Sequence, residues 1–183
     1  MSFVINNGID SVRVLDDGST EEAGWLGVDG QRIFSVTRVP RDPPRAWLLL
    51  CSAIGGEHDG GYRRQTMLAR ALSPLGIATR RFHYRGTGNS HLLTDAVRDT
   101  MVDDAVVAAC DLAARFPDAE PMLLGERVGA LVAAPAAHIV GARHLILWHP
   151  VTDIEVYRRE LLRAAELQKV ATGAGEQTSA VAD

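Results

Sequence analysis

Between residues 125 and 129 the chain reads Gly125-Glu126-Arg127-Val128-Gly129, two glycines bracketing one cation. Glycines at that spacing, between an apolar strand pattern and a helix pattern, suit a tight strand-to-helix turn that lifts its central side chain clear of the backbone. Serine or cysteine at the centre would be a nucleophile. Arg127 is not one, because its guanidinium stays protonated at any usable pH and offers a carbonyl no suitable lone pair. It offers instead a planar, two-pronged donor to a carboxylate or phosphate, with the backbone amide of Val128 and one from Ala53 or Ile54 placed to assist. The competing reading pairs Arg127 with an internal carboxylate such as Glu126 or Asp153, since a charge in a cleft needs compensation.

Other side chains could carry chemistry. Cys51 and Ser52 fall at the carboxyl end of a strand pattern, where α/β sites form, and His58 and His149 could serve as general bases near neutral pH. A hidden dyad built from these four rests on proximity alone. Arg85-Gly86-Thr87-Gly88-Asn89-Ser90 lacks the lysine and spacing of a Walker loop and does not match a dinucleotide fingerprint, so its glycines are expected to serve a tight turn. Gly60-Gly61 reads as a loop as well. Cys51 and Cys110 have no metal-type spacing and are expected to be free thiols, and no cofactor or metal is implied.

The elements that must hold these residues follow from periodicity. Residues 1–23 are polar, with one short strand-like run at Val12 to Leu15, and read as a loosely attached arm. Trp25 to Val28 and Ile33 to Thr37 form two strands across an Asp29-Gly30 turn, and Pro43-Pro44 ends that hairpin. Thereafter apolar strands at 46–51, 77–84, 122–124 and 144–148 alternate with helices at about 62–75, 94–116 and 128–139. Continuous apolar strands indicate a mostly parallel sheet covered on both faces. Pro135 predicts a kink or early end in the third helix. A further amphipathic helix spans about 153–170, and the Ala/Gly/Ser/Thr tail from 171 to 183 reads as flexible.

Bulk properties narrow the partners. A length of 183 residues with 46% hydrophobic content supports one core, taken to span 24–170. A formal charge of −4, with Lys169 the one lysine among nineteen basic residues scattered along the chain, gives no general attraction for nucleic acid. No basic leader precedes an apolar run and nothing approaches a bilayer span, so a cytoplasmic protein without membrane contact is expected.

An antiparallel hairpin feeding βαβ units, with a glycine-spaced strand–turn–helix, resembles the α/β-hydrolase superfamily over about Gly24 to Asp153. Two stretches strengthen the likeness. Phe82-His83-Tyr84-Arg85-Gly86-Thr87-Gly88-Asn89-Ser90 resembles the D-x-R-G-x-G-x-S loop after the superfamily's fourth strand, and Ser52 to His58 sits where its oxyanion loop follows the third. Leu123 to Leu131 and Leu147 to Val151 are similar to the exosortase-A-associated hydrolases of type 2, which implies a bacterial, hydrolase-like accessory protein. The resemblance also implies a serine where Arg127 stands, and an acid and a histidine from segments beyond the sixth strand of that frame, whereas this sequence has no histidine after His149.

The expectation is therefore an α/β-hydrolase-like domain lacking the last strands and the Ser-His-Asp triad, whether it is an enzyme staying open. The first reading is a non-hydrolytic binding or assembly subunit holding an anionic small molecule at Arg127. The alternative is an acyl-ester or thioester hydrolase or acyl transferase that uses nonstandard residues or a site completed by a partner. Lacking further strands, His144 to Trp148 should form a sheet edge, and a homo- or heterodimer through that strand and the following helix is expected.

Overall fold

Residue runs with no charge on either side of the pleat can survive only inside a sheet covered on both faces. The stretch Ala46-Trp47-Leu48-Leu49-Leu50-Cys51 is such a run, and it lies buried in the interior of a seven-stranded sheet. The computed structural model describes residues 8–28, 30–92 and 98–171. Its strands are β1 (Gly8–Val14), β2 (Thr20–Val28), β3 (Gln31–Val39), β4 (Ala46–Cys51), β5 (Ile77–Phe82), β6 (Glu120–Glu126) and β7 (His144–Trp148). Its helices are α1 (Gly56–Leu72), α2 (Arg98–Arg115), α3 (Ala130–Val140) and α4 (Ile154–Ala171).

The strand order is β1-β2-β3-β5-β4-β6-β7. β5, β4, β6 and β7 pair in parallel, while β1, β2 and β3 add an antiparallel extension joined through β3 and β5. The sheet is thus mixed, with its parallel half carrying the glycine-spaced turn. The chain divides after Pro150, and α4 belongs to a second unit that begins at Val151. That boundary falls inside the single span expected from 24 to 170.

Alternation of side chains sorts the first unit's core into two layers. Trp47, Leu49, Phe82 and Leu123 face α2 and α3, meeting Val107, Leu112 and Val132. Leu48, Leu50, Ile77 and Leu124 face the other way, toward Leu68 and Leu72 of α1. No helix among the described residues is long and apolar enough to cross a membrane.

Several boundaries differ from the sequence expectation, each for a local reason. Part of the loosely attached arm is sheet, because Gly8 to Val14 pairs with β2 through backbone bonds that need no apolar pattern; residues 1–7 lie outside the described residues. α1 starts six residues before the expected Tyr62, and Gly60-Gly61 is helical. The reason is packing: a Cβ at Gly61 would press on the Glu126 carboxylate. α3 continues past Pro135 to Val140 and stops at Gly141, which takes a positive φ. The tail from 172 onward lies outside the described residues.

β5 is where apolar patterning fails most plainly, since Arg80 and Arg81 lie buried inside it. Arg80 points to the α2 side, where Nη1 meets Asp111 Oδ2 at 2.5 Å and Ala108 O at 3.1 Å, and Nε donates to Thr37 Oγ1 at 2.8 Å. Burial pulls the Arg80 guanidinium down from its ordinary value, and the Asp111 charge opposes that pull. Removing one member of such a pair leaves the other buried and uncompensated. Asp111→Ala should therefore lower the unfolding free energy by about 3 kcal/mol, read from urea denaturation.

Candidate functional site

The turn after β6 is built by contact as much as by conformation. A Cβ at Gly125 would strike Ala130, and one at Gly129 would strike the carbonyl oxygens of Cys51 and Ser52. Glycine at both positions thus lets the β6–α3 turn press against the exit of β4. Between them, a single 3₁₀ turn at Arg127–Gly129 carries Arg127 at φ +56°, a left-handed conformation uncommon outside glycine. Such a conformation projects the central side chain from a strand-to-helix turn, as the glycine frame led us to expect.

Arg127 stands about one-third exposed, and its Nε donates to Glu57 Oε1 at 3.1 Å. The sequence reading offered Glu126 or Asp153 as the internal carboxylate, and the structure corrects this. Glu126 points to the α1 side and is taken by Arg64, an ion pair closed from the middle of that helix. Asp153 accepts the backbone N–H groups of Glu155 and Val156 at 2.9 Å, capping α4. Glu57, Gly61, Arg64 and Gln65 recur at helical spacing, so one face of α1 supplies all four.

Gln65 ties the two strand exits together. Its Nε2 donates to Ser52 Oγ at 3.1 Å and to Glu126 Oε2 at 3.4 Å, and Ser52 Oγ lies 3.3 Å from its Oε1. Tyr84 Oη donates to the Ser52 carbonyl at 3.3 Å. The loop bearing Ala53 and Ile54 is held beside the turn by these bonds, with Ala53 buried and Ile54 packed against the core. Arg127, Val128, Ala53 and Ile54 thus converge on one end of the parallel strands.

The candidate nucleophiles do not present themselves. Cys51 lies wholly within the core, and burial pushes its thiol up to about 12, so the thiolate is absent at neutral pH. Ser52 is buried, with its hydroxyl engaged by Gln65. His149 is exposed just beyond β7 at φ +46°. His58 falls in the first turn of α1, but its side chain lies outside the described residues. Among the described residues no cluster of metal-ligating side chains could hold an ion.

The Arg85-to-Ser90 loop behaves as the tight turn expected of it. Gly86 and Gly88 take positive φ, and a Cβ at Gly88 would run into the His83 ring. Arg85 anchors the loop by donating from its backbone N–H to Asp104 Oδ2 at 2.7 Å and from Nε to Asp104 Oδ1 at 2.6 Å. Burial raises the Asp104 carboxyl, and the Arg85 hydrogen bonds and charge oppose that rise. Glu57, Arg64 and Gln65 are the site residues that sequence reading missed. Their signal was the spacing 57, 61, 64, 65, hidden by taking Gly60-Gly61 for a loop.

The chain has the α/β-hydrolase fold. It is similar to a lidless α/β serine hydrolase from Xanthomonas campestris, with 26% identity and a TM-score of 0.61 over 69% of this chain and 60% of that one. An α/β serine hydrolase homologue from Coxiella burnetii matches at 21% identity and TM-score 0.58, over 69% and 61% of the two chains. A predicted CIB-like hydrolase from Thermoplasma acidophilum matches at 18% and 0.57, over 73% and 65%. The aligned region thus spans about three-fifths of the length of these structures. No family model and no curated protein matches the chain.

The thiols provide a direct check on the nucleophile assignment. A thiol-alkylating reagent at about pH 8 should label Cys110, which is exposed on α2, and spare Cys51 in the folded protein. Labelling of Cys51 at a rate matching Cys110, read by peptide mass spectrometry, would return it to the list of candidate nucleophiles.

Proposed function

We propose that this chain is a non-hydrolytic binding or assembly subunit built on the α/β-hydrolase fold, holding a small anionic molecule at Arg127. The observation that carries this reading is Arg127 itself, standing at φ +56° where the fold would lift a nucleophile. The side chain there binds anions and cannot attack a carbonyl. Cys51 and Ser52, the alternative nucleophiles, are buried. A ligand carboxylate or phosphate would take over the donors that Arg127 now gives to Glu57, so Glu57 acts as an internal competitor. Because that pair is one-third exposed, its exchange costs little.

The assembly half of the proposal rests on β7. Among the described residues it pairs on one side only, with β6, and Leu145, Ile146, Leu147 and Trp148 are 41–47% exposed. An apolar edge with open backbone groups favours pairing with another chain, a homo- or heterodimer, and such a partner could complete the sheet. A catalytic version of this reading places the missing acid and histidine on that partner, making the complex an acyl hydrolase or transferase.

Binding and turnover separate these possibilities. In a nuclear magnetic resonance titration with acetate and inorganic phosphate, the natural protein should bind weakly, Glu57→Gln about tenfold more tightly, and Arg127→Ala not at all. Equal affinity in all three proteins would remove the anion site. Arg127→Ser should fold yet show no efficient turnover on an ester and thioester panel, and robust hydrolysis by it would establish that the other catalytic groups are present. For assembly, sedimentation should give a dimer that Ile146→Lys dissociates; a dilute monomer with no partner recovered from the source cell would count against it.

A further inference from the structure

A cavity of about 230 Å³ lies between the antiparallel half of the sheet and α2, sharing no residue with the turn that carries Arg127. Its floor is small. Gly24 of β2 and Ser35 of β3 are direct cross-strand partners, and the next pair on that face, Leu26 and Ile33, packs into the core. Where those two fill the layer with bulk, glycine and serine leave it open. β1 supplies the outer wall, because a register shift between Ile9 and Ser11 sets Ile9 opposite Gly24. A Cβ on Gly24 would strike Gly8 O and Ile9 Cα, so β1 leans over the floor only where that side chain is missing.

Charges ring the cavity and cancel. Arg80 is paired with Asp111, and Arg115 Nη2 donates to Glu22 Oε2 at 2.6 Å, so these charged residues of the lining form closed pairs. Beyond the burial and the Asp111 charge already acting on Arg80, Arg115 lowers its guanidinium and Glu22 raises it, so the pairs stand close together. An entering ion would meet both signs at once and recover little of its lost hydration. Ser35 is different. It is 5% exposed, its hydroxyl has no hydrogen-bond partner among the described residues, and its alternation with Ile33 and Thr37 turns it to the α2 side, into the cavity.

We propose that this cavity binds a small uncharged molecule with one hydrogen-bonding head, an alcohol or primary amide, on a short apolar chain. The Ser35 hydroxyl, which both donates and accepts, takes the head. Ile9 and Leu26 take the chain, and the two ion pairs stay closed beside it. Charge thus acts by exclusion here, in contrast to the elbow, where Arg127 offers an anion its donors. The occupant touches β1, β2, β3 and α2 together, joining the outermost strand to the helix across the gap that Gly24 and Ser35 leave.

The test uses four probes on one carbon frame: isobutanol, isobutyramide, isobutyrate and isobutylammonium. Binding is read by saturation-transfer nuclear magnetic resonance on the full chain, with Arg127 natural and as Arg127→Ala. In both proteins isobutanol or isobutyramide should bind saturably. In Arg127→Ala, where the elbow no longer takes an anion, isobutyrate and isobutylammonium should bind at least about tenfold more weakly than the uncharged probe. Ser35→Ala removes the hydroxyl without filling the floor and should weaken the uncharged probe about tenfold, while Ser35→Val fills the floor and should abolish binding. Should Ser35→Val fail to fold, Ile9→Ala, on an exposed edge strand, strips the outer wall and should weaken binding about fivefold. The proposal falls if neither uncharged probe binds saturably, if a charged probe binds Arg127→Ala as tightly, or if any folded variant among these binds as the natural protein does. A signal from the uncharged probes lost in Arg127→Ala would place them at the elbow and overturn the cavity site while leaving the elbow reading intact.

Discussion

The contact of Gly129 with the carbonyl oxygens of Cys51 and Ser52 sets the rest of the site. Because no side chain intervenes, the β6–α3 turn and the β4 exit share one position at the end of the parallel strands. Everything functional is measured from that contact. Gln65 bridges the two strand ends, Arg64 neutralises Glu126 behind them, and Glu57 meets Arg127 in front. Two opposite-charge pairs, Arg64 with Glu126 and Arg127 with Glu57, meet along a single face of α1.

The same economy of pairing runs through the sheet. β5 places Arg80 on one face and Arg81 on the other, and each face answers differently. On the α2 side the answer is complete, with Asp111, Thr37 and Ala108 surrounding the guanidinium. On the α1 side it is partial, with carboxylates at the rim and open donors within. Buried charge in a strand of this kind fixes which face is which, since slipping the register by one residue would exchange the complete environment for the partial one.

The sequence was most legible where the physics is local and repetitive. Apolar runs marked β4, β6 and β7, the Asp29-Gly30 pair marked the β2–β3 hairpin, and Gly125 with Gly129 marked the turn. It was least legible where long-range contact overrides propensity. Gly60-Gly61 reads as a break until Glu126, more than sixty residues away, is seen to occupy the space that a Cβ would need. The β1 strand is held by backbone pairing with β2 rather than by an apolar face, so hydrophobic periodicity had nothing to register. For Arg127, residue type alone gave the chemistry, but its partner depended on where α1 begins.

Arg127 also bears on what such a turn requires of its centre. A left-handed backbone at a residue with a Cβ carries a cost on the order of 1–2 kcal/mol, and the side chain held there is a guanidinium. The turn is held by the closeness of its neighbours. Geometry of that sort constrains the flanks more than the centre: the side chain at the centre can be exchanged while the flanking glycines cannot, so the turn itself does not dictate which chemistry stands there.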